Sequence, residues 1–179
     1  HDMGRFEQLR RYDTFNDAES VDHAALGVEI LFGTGNAEAA DDGSGAAMIR
    51  RYVADDEEDA LIRTAVGMHN VYRLAEGIAP RTEKFCHILR DADKVDILRV
   101  NIETPLEEIY NTTSRELYHA EVSEAVMQSF YEHHATLRSL KRTPVDYIAG
   151  HVSLIYELVF PESVRLVKVQ GYWEKLIKA

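Results

Sequence analysis

Cysteine is almost missing from this chain. Cys86 is the single one in 179 residues, which excludes an internal disulfide and fits a reducing, cytoplasmic setting. With Phe85, Ile88 and Leu89 around it, the thiol reads as a packing residue. Long apolar runs are missing too. None approaches the ~20 residues of a bilayer span, and the first residues lack the charged and apolar blocks of a signal peptide. A membrane partner is therefore not expected. Positive charge is scarce: 20 Lys and Arg face 31 Asp and Glu, a net charge of −11. A nucleic acid polymer is a poor partner for such a chain, because polyanion binding needs a basic patch. A small phosphate ester stays open, provided a metal ion and an arginine make a local positive pocket. Strand-like alternation and internal repeats are also missing, so the expected fold class is all-α.

What is present starts with the first eleven residues. An adjacent His1-Asp2 pair offers a metal two ligands of different hardness. The imidazole suits a borderline transition ion, and the carboxylate offsets cationic charge or bridges two ions. Arg5 lies four residues after His1, one helical turn on, where a guanidinium could reach a phosphate held by that metal. The dipeptide by itself also fits a frayed, solvated end, so the metal reading depends on partners elsewhere. Candidates are His23, His69 and Asp93.

In order and spacing, His1-Asp2-Met3-Gly4-Arg5-Phe6-Glu7-Gln8, His23, His69 and Asp93 in Asp91-Ala92-Asp93-Lys94-Val95-Asp96 resemble the HD superfamily of metal-dependent phosphohydrolases. The likeness is to the variant with extra histidines between the HD pair and the last aspartate. Leu140 to Tyr147 is similar to the same group. The resemblance implies an HD-domain helical bundle with a C-terminal helical extension. It implies metal ligands His1, Asp2, His23, His69 and Asp93, with Asp91 second to Asp93, and catalytic roles for Asp2 and Arg5. The superfamily's pattern starts with a further His on a preceding helix, a ligand expected upstream of the present chain. Extra histidines resemble the subgroup with two metals, which includes HD-GYP phosphodiesterases and symmetrical dinucleoside tetraphosphate hydrolases. The Gly-Tyr-Pro signature is lacking after His69, which counts against cyclic di-GMP. The donor set suits one or two ions of iron or manganese better than a magnesium cage, with Mg, Zn and Ni still open. The implied activity is hydrolysis of a nucleotide or similar small phosphate ester or anhydride. The competing class is a regulatory HD domain that binds a nucleotide without turnover, and a homo-oligomer is open in either case.

The expected organisation is a core over 1–102 carrying the metal site and C-terminal helices over 103–179 packed on the same domain. Residues 1 to 11 read as a helix with Met3, Phe6 and Leu9 along its apolar stripe. Ser20 is the N-cap candidate for the helix carrying His23, where Gly27 would allow close approach of another backbone. Gly33 to Gly45 reads as a surface loop. Met48 to Val53 makes a short helical turn. The acidic run Asp55 to Asp59 favours the start of a helix that continues past His69 and closes around Gly77. Pro80 opens a long helix to Ile102. On it, Asp93 is placed on the buried face and Asp91 and Asp96 on polar flanks. Pro105 to Tyr110, Ser114 to His119 and Ser123 to His134 read as helices. Asp146 to Phe160 reads as one apolar helix ended by Pro161, and Ser163 to Leu176 as the last. His133 and His134 read as surface or packing residues. Lys141 and Arg142 could contact a substrate phosphate or form an ordinary solvated turn.

Overall fold

The computed structural model of the chain describes residues 1–33 and 47–178. Among these every regular element is helical, so the fold is all-α. The α-helices are α1 (Met3–Tyr12), α2 (His23–Phe32), α3 (Asp59–Gly67), α4 (Pro80–Glu103), α5 (Leu106–Tyr110), α6 (Ser114–His119), α7 (Glu124–Tyr131), α8 (Pro144–Val152), α9 (Pro161–Gln170) and α10 (Tyr172–Lys178). Short 3-10 turns stand at Met48–Arg51, Arg138–Leu140 and Ser153–Glu157. No helix among the described residues is long and apolar enough to cross a membrane. The chain divides into two compact units, His1–Arg90 and Asp91–Ala179. The division falls inside α4.

In the first unit α1 packs closely on α2 through two glycines. A Cβ on Gly4 would overlap the His23 carbonyl oxygen and lie 2.7 Å from Gly27 N. A Cβ on Gly27 would come 3.3 Å from the His1 carbonyl oxygen. This crossing brings the start of α1 beside the start of α2. It also corrects the expected apolar stripe of α1, because Phe6 is 76% and Leu9 41% exposed while Gly4 and Gln8 are buried. Close backbone approach, the hydrogen bonds of Gln8 and, of the stripe, Met3 alone against the core orient this helix. Leu31, Ile49 and Val66 form the core, with Met3, Val28, Ile62 and Leu89 packed around them. Cys86 is fully buried. The cap of α2 is Asp22, whose carboxylate accepts from Ala24 N and Ala25 N, and not Ser20. Ser20 instead donates to the Asn16 carbonyl and accepts from Gln8. Beyond Gly33, the stretch read as a surface loop lies outside the described residues.

Helix α3 stops at Gly67, ten residues short of the expected Gly77. Arg90 on α4 explains the stretch that follows. Its buried guanidinium donates to the carbonyls of Met68, His69, Val71 and Tyr72. Carbonyls past a helix end need such partners, and a fork of cationic donors satisfies several at once. His69 therefore stands on a clamped turn, not within a helix.

In the second unit Val95, Leu98, Val152, Val167 and Leu176 form the core. Thr143 caps α8 in a reciprocal box with Asp146, and Pro144 takes the first helical position, where its missing N–H costs nothing. Asp146 is fully buried and accepts from Ser123 N, Ser123 Oγ, Arg142 N and Thr143 N. The expected single helix from Asp146 to Phe160 ends at Val152. There Ser153 Oγ donates to the Gly150 carbonyl at 2.8 Å, a local bond that competes with helix continuation. Pro161 opens α9 instead of ending a helix. Gly171, at φ 67°, separates α9 from α10 where one helix was expected.

The two aspartates near the middle of α4 are also exchanged relative to expectation. Asp91 is 1% exposed, and its carboxylate accepts from Val159 N and Phe160 N. Asp93 is only partly buried. Each has Ala92 on one side and a basic residue, Arg90 or Lys94, on the other, and a helix rotation that no local pattern specifies decides between them.

Candidate metal centre

The first unit brings His1, Asp2, His23 and His69 together from three separate stretches of chain. Their side chains differ in exposure: His69 is 1% and His23 5% exposed, against 23% for His1 and 46% for Asp2. Within Asp2 the two oxygens differ as well. Oδ2 lies 3.4 Å from His1 Nε2. Oδ1 is buried and has no hydrogen-bond partner, with His69 Nε2 at 3.5 Å and His23 Nε2 at 3.6 Å. The rings of His1 and of His23 each stand edge-on to that of His69, with centroids 4.7 and 4.9 Å away.

Hydrogen positions follow from the partners on the far side of each ring. His23 Nδ1 lies 2.7 Å from Asp17 Oδ2, and His69 Nδ1 lies 2.7 Å from the Val66 carbonyl oxygen. A carboxylate and a carbonyl accept only, so both Nδ1 atoms carry hydrogen. Both Nε2 atoms then present lone pairs, and they stand 2.9 Å apart. Two lone pairs at that distance repel unless a proton or a cation lies between them. Burial and the Arg5 guanidinium push His23 below its usual value, outweighing Asp17, so the added proton is disfavoured. The spacing suits a shared cation. Donors ~2.1 Å from one ion stand ~3.0 Å apart at right angles and ~3.4 Å apart at the tetrahedral angle. The separations of 2.9, 3.4, 3.5 and 3.6 Å lie close to that range.

A layer of polar groups behind the histidines holds them in place, and the sequence pattern did not single it out. Asp17 is its hub: Oδ1 accepts from Arg5 Nη1 and Gln8 Nε2, both at 2.9 Å, while Oδ2 faces His23. Gln8 is fully buried and also donates to Ser20 Oγ and the Val21 carbonyl. Asn70, next to His69, donates to Asp22, next to His23. One signal for this layer was available, the glutamine of Phe6-Glu7-Gln8 on a helix face that buries little else. Asp17 in its polar connection carried none.

Among the described residues two groups of His and Asp could hold a metal ion: His1, Asp2 and His69, and Asp17, Asp22 and His23. In the second group the donors already bind one another or cap α2, so its geometry reads as support for His23. Asp93 belongs to neither group and lies in the second unit. Arg5, expected at a substrate phosphate, directs Nη1 to Asp17, Gln8 and the Phe15 carbonyl. No family model matches the chain, nor does any curated protein or solved structure.

Proposed function

We propose that this protein is a metal-dependent phosphohydrolase acting on a nucleotide or similar small phosphate ester or anhydride, with its metal held in the first unit. The observation that carries the metal reading is the 2.9 Å approach of two Nε2 lone pairs beside the unpartnered Asp2 Oδ1. The hydrolase reading comes from the resemblance of these residues to the HD superfamily. His1, Asp2, His23 and His69 would hold one divalent ion, and three imidazoles with one carboxylate favour iron, manganese or another first-row metal. Such an ion supplies Lewis acidity and positive charge for attack of water on phosphorus at neutral pH.

The chain's own residues prepare the donors. Asp17 and the Val66 carbonyl each fix a hydrogen on the outer ring nitrogen, which leaves Nε2 as the donor atom. Arg5 and Gln8 fix Asp17, which makes Arg5 a positioning residue in this reading. The superfamily pattern adds Asp93 to the ligand set, and the metal content of Asp93→Ala decides its part. The test is elemental analysis of purified protein together with phosphate release from a panel of nucleotides. Bound iron or manganese, lost with phosphate release in His23→Ala and His69→Ala, is the expected result. Metal with tight nucleotide binding and no turnover would favour a regulatory domain, and a folded protein that takes up no divalent metal would overturn the reading.

A further inference from the structure

The second unit carries a polar cluster that the metal reading does not use. Lys141 follows the turn Arg138–Leu140, and its side chain lies across α8 at Gly150. A Cβ at Gly150 would stand 2.5 Å from Lys141 Nζ, so the ammonium reaches bare helix backbone only because that position is glycine. Tyr147, one turn earlier on α8, sets its ring 5.4 Å from Nζ. On the other side of Gly150, His151 Nδ1 lies 2.7 Å from the Tyr110 hydroxyl and 3.3 Å from Asn101 Oδ1. The Tyr110 hydroxyl donates to Asn101 Oδ1. With its one hydrogen used there, that hydroxyl accepts from His151 Nδ1–H.

Tyr110, His151 and Asn101 therefore satisfy one another, and the ammonium beside them does not share in it. Lys141 Nζ has no hydrogen-bond acceptor among the described residues. Asp146, the carboxylate that acts on it, is buried under four donors of its own. Arg138 is a second positive charge near enough to act on the ammonium. Burial first, and then that neighbour, bring Lys141 down to about 8, with Asp146 opposing. Two cations drawn together in a chain of net charge −11, one of them partly buried and short of acceptors, leave room for a missing anion.

We propose that Lys141, seated in the Gly150 notch beside Tyr147, anchors a binding site for a phosphate-sized oxyanion in the second unit. Two positive charges suit the dianionic phosphoryl group of a small ester better than a single carboxylate. The ring of Tyr147 and the Tyr110–His151–Asn101 network form its apolar and polar walls. The site goes beyond the metal centre and does not require it.

The test is titration of the whole, metal-free chain with inorganic phosphate at pH 7, followed by calorimetry and by the amide resonances of Gly150 and His151. Acetate at equal ionic strength is the comparison. Saturable phosphate binding is expected, with shifts at both amides, and the Lys141 titration midpoint should rise from about 8 when phosphate is bound. Lys141→Gln should weaken binding about tenfold or more, the scale of one charge-assisted contact. Gly150→Ala should also weaken it by evicting the ammonium, a second route should Lys141→Gln misfold. His69→Ala should bind phosphate as the native chain does, which separates this site from the metal centre. Binding lost in His69→Ala but kept in Lys141→Gln would overturn the proposal, as would no binding by the native chain or equal response to acetate.

Discussion

Asp17→Asn probes the metal centre through a single atom exchange. In the native chain Asp17 Oδ2 receives the His23 Nδ1 hydrogen at 2.7 Å, and Oδ1 receives Arg5 and Gln8 at 2.9 Å each. Asparagine keeps the shape but replaces one oxygen by NH2. Arg5 Nη1 and Gln8 Nε2 are donors, so the remaining oxygen turns to them and the NH2 faces His23. The ring must then accept at Nδ1 and carry its hydrogen on Nε2, aimed at Asp2 and His69. A lost outer partner of this kind weakens metal affinity by ~10–100-fold, which is ~1.4–2.7 kcal/mol. The fold should lose less. Arg5 and Asp17 are 30% and 20% exposed, and a partly solvated pair of this kind contributes about 1 kcal/mol. Titration with Co(II) or Mn(II) measures the affinity, urea unfolding of the apoprotein measures stability, and long-range proton–nitrogen NMR reads the His23 tautomer. An Asp17→Asn protein that binds metal within about twofold of native, with hydrogen still on Nδ1, would refute the reasoning.

Gly4→Ala should destabilise the first unit by about 3 kcal/mol in urea unfolding, because the added methyl overlaps the His23 carbonyl and backbone offers no room to yield; native stability would show that α1 and α2 do not cross this closely. Asp91→Ala should cost about 2 kcal/mol by leaving the Val159 and Phe160 amides without an acceptor. An unchanged unfolding midpoint would place those amides in water. His151 is held down to about 3 by burial, with Lys141 adding to it, so the folded state stays neutral where the unfolded chain takes up a proton. Stability is full above about pH 6.5 and should fall by roughly 1.4 kcal/mol per unit towards pH 4. Unfolding curves between pH 7 and 4 should lose part of this slope in His151→Gln, and an unaltered slope would assign it elsewhere.

The helical class, the long helix opened by Pro80 and the burial of Cys86 were legible because each rests on local chemistry: periodic apolar residues, a proline at a helix start, and an apolar neighbourhood. Helix ends were harder. Asp22 and Ser20 are equally good caps by residue type, and only the packing of Gln8 draws the Ser20 hydroxyl away from the cap. Pro161 reads as a terminator or as an opener, since proline is tolerated at the first turn and disruptive later. The stripe Met3, Phe6 and Leu9 had the right period but did not mark the buried face of α1, because the two-glycine crossing turns Gly4 and Gln8 inward.

The metal donors divide in the same way. His1, Asp2, His23 and His69 were candidates through the resemblance of their order and spacing to the HD superfamily, since a His-Asp pair alone equally fits a solvated chain end. Their convergence depended on contacts between residues distant in the chain: Gly4 against the His23 backbone, and Arg90 on the carbonyls that carry His69. Asp17 as the orienting partner of His23, and Arg5 as the partner of Asp17, were equally out of reach, because a charged side chain has no preferred acceptor until packing removes the water around it. Sequence by itself determined which groups could bind a cation. Tertiary structure alone decided which lone pairs face one another, because that is set by helix rotation and burial, and neither is encoded at the spacing of neighbouring residues.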